Sequence, residues 1–196
     1  MSNNTNSTKV ITEKIRLSFA HLFEPYAING GEPKYSVSIL IPKTAKKTLA
    51  KLDAAVEAAK EEGKGKWGGK IPHNLKLPVR DGDLERPDDP AYVGHVFFTA
   101  SSKSRPDIAK PNGKDANGKT KFLIITDPDE VYSGCYAKAS LNAYPFNANG
   151  NRGIAIGLNS IVKVQDGEPL GGRSSINEDF SDEDFEDSYE DDEFLA

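Results

Sequence analysis

The stretch SGCYAKASLNAY, residues 133–144, alternates without a break. Cys135, Ala137, Ala139, Leu141 and Ala143 fall on one side, and Tyr136, Lys138, Ser140, Asn142 and Tyr144 on the other. A period of two with small apolar side chains on one face predicts a strand packed inside and polar outside. The same pattern recurs along the chain. In Val10–Phe19, Ile11, Ile15, Leu17 and Phe19 oppose Lys14, Arg16 and Ser18. Tyr35, Val37, Ile39 and Ile41 share a face before Pro42 ends that strand. Val96, Phe98 and Ala100 form a third row, and residues 122–125 make a short apolar strand. The last strand, Gly153–Gln165, carries Ile154, Ile156 and Leu158 on one face. Its register is expected to slip near Asn159, because Ile161 breaks the parity that Val162 and Val164 restore.

One helix interrupts the strands. Leu49, Leu52, Val56 and Ala59 form a narrow apolar stripe, with Thr44 as the expected cap and Gly63 as the expected left-handed residue beyond Glu62. Lys43, Lys46 and Lys47 at its start and Glu61 and Glu62 at its end oppose the helix dipole. Such charges are either screened at the surface or mark an anion site. Residues 63–90 and 102–121 read as long polar loops, the second with turn signals at Asn112-Gly113 and Asn117-Gly118. The expected fold is mainly β: an OB-like five- to six-stranded barrel, with one amphipathic helix, long polar loops and a disordered acidic C-terminal tail. The helix comes earlier in chain order than an OB barrel usually has it.

The formal net charge of −5 hides two unlike parts. Eleven of the 30 acidic residues lie in Glu178–Ala196, which holds no Lys or Arg. The rest of the chain carries 25 basic against 19 acidic residues, a formal +6. The expected organisation is a flexible leader over residues 1–8, one domain over 9–172 and the acidic tail over 173–196. With Cys135 as the one cysteine there is no intramolecular disulfide, which fits a reducing cytosol. No apolar run reaches membrane length and the N-terminus lacks a signal-peptide pattern, so a cytoplasmic protein without membrane contact is expected.

Catalytic patterns are weak. Gly63–Lys70 fails the phosphate-loop spacing, because Gly69 follows Gly68 where lysine is required. His21, His73 and His95 are scattered and form no zinc set, and Cys135 lies on the packed row. No metal, cofactor or catalytic residue is assigned. The enzyme alternative is a metal-dependent nuclease using Asp81, Asp83, Glu85, Asp88 and Asp89. Interleaved Arg80 and Arg86 favour internal ion pairs there. A third alternative is an adaptor that binds only proteins.

Sequence-independent capture of a single strand needs cations along the phosphates and aromatic faces for the bases. Both residue types occupy the loops and polar strand faces. Trp67 sits among Lys64, Lys66 and Lys70, either stacking on a base or pinning its loop to the barrel. Lys138 and Tyr144 share a polar face, and Phe146 and Arg152 flank the turn that follows. Lys76, Arg80, Lys103 and Arg105 are further phosphate candidates. In the tail, Phe180, Phe185, Tyr189 and Phe194 recur among carboxylates that include Asp191, Asp192 and Glu193. That pattern suits docking on a basic partner with aromatic pockets better than mere solubilisation.

The stretches RLSFAHLFEP (16–25), KYSVSILIPK (34–43), LPVRDGDLERPDDPAYVGH (77–95), ITDPDEVYSGCYAKASLNAYPFN (125–147) and NRGIAIGLNSIVKVQDGEPLGG (151–172) resemble the phage single-stranded-DNA-binding proteins. The resemblance implies an OB-like barrel, no catalysis, and roles in phage replication, recombination and repair. The tail is similar to those with which replication single-strand binders recruit phage or host replication proteins. It departs from the pattern at its end, where Leu195 and Ala196 follow Phe194. A homodimer stays open.

Overall fold

The computed structural model describes residues 7–27 and 29–170. Of the expected leader only Ser7 and Thr8 fall among them, and the expected tail, 173–196, lies wholly outside them. Among the described residues the strands are β1 (Lys9–Ile11), β2 (Ile15–Tyr26), β3 (Lys34–Pro42), β4 (Arg80–Asp81), β5 (His95–Ser102), β6 (Asp107–Lys114), β7 (Thr120–Ile124), β8 (Tyr136–Ala148) and β9 (Asn151–Gln165). Helix α1 spans Lys46–Gly63 and the one-turn helix α2 spans Gly82–Glu85. Strands β2, β3, β5, β9 and β8 pair in that order, and β8 returns to β2, closing a five-membered ring. The β5–β9 pairing is parallel; the other ring pairings are antiparallel. β1 adds to β8, β4 to β5, and the β6–β7 hairpin to β9. The architecture is mainly β and OB-like, a small barrel with appended strands.

The inward row of β8 is what the alternation predicts. Cys135, Ala137, Ala139, Leu141 and Ala143 are all buried. Facing rows come from Val37, Ile39 and Ile41, from Phe98 and Ala100, and from Ile154, Ile156 and Leu158. In β9 the partner of Ser140 is Ser160 and that of Leu141 is Leu158, so Asn159 is an extra residue, a bulge. It returns Ile161 to the core. Burial raises the Cys135 thiol pKa above its usual range and leaves it inert.

Three expectations need correction. The first strand is two strands. Thr12 donates its N–H to Ala139 O and accepts Ala139 N–H on Oγ1, and Glu13 N–H bonds Thr48 Oγ1, so the chain breaks step there. Ile11 leaves the inner row there and is exposed, and Phe19 leaves it at a second irregularity, between Ser18 and His21. The second correction concerns the helix ends. Thr44 makes no side-chain cap, and Gly63 stays right-handed with φ −72° while a 3₁₀ turn continues to Trp67. Gly63 is required for space, since a Cβ there would lie 2.5 Å from the Trp67 ring and 2.8 Å from Pro145. The left-handed residue is Gly68, φ 79°. Third, 102–121 is not a loop, for it builds most of the β6–β7 hairpin.

Trp67 belongs to the core at 6% exposure, with Nε1 donating to Phe146 O at 3.1 Å. Asn147 Nδ2 bonds Lys66 O beside it. The pinning reading therefore stands and the stacking reading is withdrawn, because a ring this buried leaves no open face for a base. Trp67→Ala should lower stability by about 3–5 kcal/mol, read as a drop in thermal midpoint. The Trp67 emission of the intact protein should be blue-shifted and insensitive to added oligo-dT.

Candidate nucleic-acid interface

The outward rows of the ring converge on one surface. In register, His21 pairs with Ser36, Ser36 with Ser101, Ser101 with Gly157, and Gly157 with Asn142. At a strand spacing of about 4.8 Å this row runs roughly 19 Å across five strands. A second row, Ser18–Ser38–Thr99, lies beside it. The middle of the surface is thus small and hydroxyl-bearing, and the bulky groups stand at its ends. This is the strand 2–3 face of the barrel, where OB folds take oligonucleotides.

At one end β2 is irregular on either side of His21. Phe19 takes φ 46°, a left-handed conformation rare for an aromatic residue, and is half exposed. His21 and Tyr26 stack with centroids 4.3 Å apart and planes 10° from parallel. Arg86 lies over three rings, at 4.6 Å from Tyr92, 5.5 Å from Phe19 and 5.8 Å from Phe97. A concavity of about 230 Å³ is lined by Phe19, His21, Tyr26, Ser36, Ser38, Arg86 and Thr99. A neighbouring one of about 520 Å³ continues past His21 and Phe23 to Arg105, whose guanidinium sits 5.3 Å from the Phe23 ring. A third, of about 430 Å³, shares Phe19 and His21 and ends at Leu170. Together they form one groove of exposed aromatics with arginines at its walls.

At the other end Tyr144 lies beside Gly157, its ring 3.6 Å from where a Cβ would sit. Beyond it, the Asn149-Gly150 turn joins β8 to β9, both residues at positive φ. Lys76 bridges onto Gly153 there, its Nζ bonding Asn151 Oδ1 at 2.9 Å. Lys76 and Arg152 line a polar recess of about 310 Å³. The half-buried Phe146 ring packs over Gly153.

Of the candidates named from sequence, Lys76, Arg152, Tyr144 and Phe146 are therefore brought together, and Arg105 joins the groove. Lys138 is exposed on the outer face of β8. Arg80 is turned to Glu85 at 3.3 Å and Lys103 to Glu32 at 3.3 Å, in exposed pairs of little energetic weight. Phe19, His21, Phe23, Tyr26 and Arg86, which line the groove, were not among those candidates. Phe19 and Arg86 lie in stretches read as inward row and acidic loop, and only tertiary contacts bring them to the groove. The tail candidates Phe185, Tyr189, Asp191, Asp192, Glu193 and Phe194 lie outside the described residues.

The acidic loop is engaged in structure. Lys43 Nζ reaches Asp81 at 2.7 Å and Asp83 at 2.6 Å. Asp81 also caps α2 through Asp83 N–H, Asp83 accepts Gly94 N–H, and Asp89 accepts Ala91 N–H. Among the described residues no group of three or more His, Cys, Asp or Glu is arranged to hold a metal ion. The same contacts answer the anion-site question at Lys43, whose charge is already matched. They fix the loop that carries Arg86 and Tyr92.

The Lys43 hydrogen bonds hold the Asp81 and Asp83 carboxyls below the usual carboxylate range. A depressed folded-state pKa contributes stability above the unfolded value of about 3.9, lost as pH falls through the folded value. Amides of residues 82–94 should therefore lose protection, measured against their intrinsic exchange rates, below about pH 4 and before the barrel amides do. Lys43→Ala should give that loss of protection already at neutral pH.

Residues 8–195 match the family described as Enterobacter phage Enc34, ssDNA-binding protein. Protein p50 of Acyrthosiphon pisum secondary endosymbiont phage 1 is 31% identical over 182 residues, covering 87% of this chain and 91% of that one. The single-stranded DNA-binding protein from bacteriophage Enc34, solved in complex with ssDNA, superposes with a TM-score of 0.68 at 28% identity, over 84% of this chain and 90% of that one. Gp2.5, a single-stranded DNA binding protein encoded by bacteriophage T7, shares the fold with a TM-score of 0.53 at 15% identity, over 92% and 97% of the two chains. The chain belongs to the Enc34 phage ssDNA-binding protein family.

Proposed function

We propose that this protein binds single-stranded DNA without sequence preference and is not an enzyme. The observation that carries the reading is the groove across the β2–β3–β5 face, where exposed aromatics meet arginines over a floor of serine and threonine. Bases stack on Phe19, His21, Tyr26 and Tyr144, because every base offers a π-face whatever its identity. Arg86, Arg105, Lys76 and Arg152 follow the phosphates. The small residues between the two ends let the strand lie close to the sheet. The Enc34 relative was solved with ssDNA, which supports the same ligand here.

The remaining parts of the reading follow from charge and composition. Residues 9–172 are the binding domain. The acidic residues 173–196 recruit phage or host replication proteins through Phe185, Tyr189, Phe194 and the neighbouring carboxylates. Replication, recombination and repair in the cytoplasm of the host cell are the settings in which such coating is used. No cofactor is required.

Neutralising Z phosphates of a single strand makes log K fall with log salt at about −0.7Z. Four cations give a slope of about −3 for oligo-dT binding measured by fluorescence anisotropy. Arg86→Ala and Arg105→Ala should each flatten the slope by about 0.7. Tyr26→Ala should weaken binding by about 1–3 kcal/mol and leave the slope unchanged. Residues 1–177 should bind more tightly than the full chain, since eleven acidic residues are removed. No affinity of residues 1–177 for oligo-dT at low salt would sink the proposal.

A further inference from the structure

The β6–β7 hairpin projects an apolar edge that neither the fold nor the groove uses. Every residue of β7 is exposed, with Phe122 at 56%, Leu123 at 48% and Ile124 at 59%. β7 ends the sheet and pairs on one side with β6. At the opposite end of the sheet, β1 is covered by α1, and Lys51 Nζ reaches Ile11 O. Among the described residues β7 is bare by contrast. An apolar edge strand with unpaired backbone groups is a template for another strand.

Ile125 N–H donates to Ile108 O, so the 108–125 pair is a hydrogen-bonded one. Antiparallel alternation then makes 109–124 and 111–122 the non-bonded pairs. Proline at 111, which has no N–H to give, agrees with that phase. The N–H and C=O groups of Phe122 and Ile124 consequently point away from β6, toward the open edge. Side chain and backbone present themselves together there.

Charge says what fits this edge. The arm is net basic at its tip, where Lys114, Lys119 and Lys121 outweigh Asp115, apolar in its middle, and acidic at its base, with Asp107, Asp127 and Asp129. The Asp115 carboxylate is taken up by the turn, accepting the N–H groups of Asn117 and Lys119. Of the nearby charges, Lys110 and Glu130 are matched to each other at 2.6 Å. An identical arm laid antiparallel, with Phe122 on the twofold axis, sets net basic tip against acidic base at both ends. Phe122 meets Phe122 of the second copy, Ile124 meets Thr120, and Lys121 meets Leu123, so within the paired strands no like charges stand opposite each other.

We propose that β7 is a self-association strand, which joins two copies of this chain through antiparallel β7–β7 pairing about Phe122. The contact is isologous, so it closes at two copies and does not propagate. It stands whether or not the groove takes DNA.

The test is sedimentation velocity of the full chain without nucleic acid over a concentration series. A monomer–dimer equilibrium is expected. Phe122→Glu puts two carboxylates opposite each other on the axis. It should weaken association at least tenfold, with the circular dichroism and thermal midpoint of the parent chain retained. Phe122→Cys should give a covalent dimer with a short bismaleimide, because the residue faces its own copy, whereas Lys114→Cys should not; Cys135 is buried and silent. A chain that stays monomeric throughout would overturn the proposal. So would a dimer that Phe122→Glu leaves intact, or a Phe122→Glu variant whose only change is weaker oligo-dT binding, which would make the arm a nucleic-acid surface instead.

Discussion

Everything in this molecule depends on β8 being narrow on its inner face. One strand pairs with β1 and β2 along one edge and with β9 along the other. A ring this small closes only if its interior is filled without crowding. Alanines and Cys135 on β8 leave the volume that α1 and Trp67 then occupy. With the inside settled by apolar packing, the outer face is relieved of most of the structural duty, the Tyr92 hydroxyl bond to Ser18 apart. That freedom is what allows serines, a glycine and exposed rings to line the groove.

The groove in turn depends on departures from regularity. A straight β2 would bury Phe19 beside Leu17. The breaks on either side of His21 turn Phe19 outward and bring Tyr26 onto the imidazole. The loop from Asp81 to Gly94 supplies the opposite wall, held by Lys43 and by the Tyr92 hydroxyl on Ser18. Gly82 is packed so closely on Tyr92 O that an added Cβ would fall only 2.0 Å from it. The carboxylates that look like a metal cluster in sequence are thereby the fasteners of an aromatic–arginine wall.

These contrasts define what the residues disclose by themselves. Period-two patterns locate β3, β5, β8 and β9, and parity alone reveals the Asn159 bulge, because burial acts on each residue in turn. The break at Thr12–Lys14 is invisible, since it rests on a side-chain bond to Ala139, 127 residues away. Trp67 misleads for the same reason. Its Gly/Lys surroundings describe a surface loop, while its ring packs on Gly63 and its Nε1 bonds Phe146 O, one neighbour local and one remote. Of the interface, Lys76, Tyr144, Phe146 and Arg152 are legible because one turn gathers them. The β2 aromatics are not, because nothing local tells an outward phenylalanine from an inward one.

The Asn159 bulge has a further consequence. Before it, β9 lies along β5 at Ile156 and Gly157; after it, the same strand lies along β6 at Ser160–Val162. One surplus residue is thus the seam between barrel and arm. Each side of the seam makes its own backbone pairings, so the hairpin can lengthen, shorten or change its surface without altering the ring's register. The arm is thus a separable attachment, open to insertion, deletion or substitution while the barrel keeps its closure geometry.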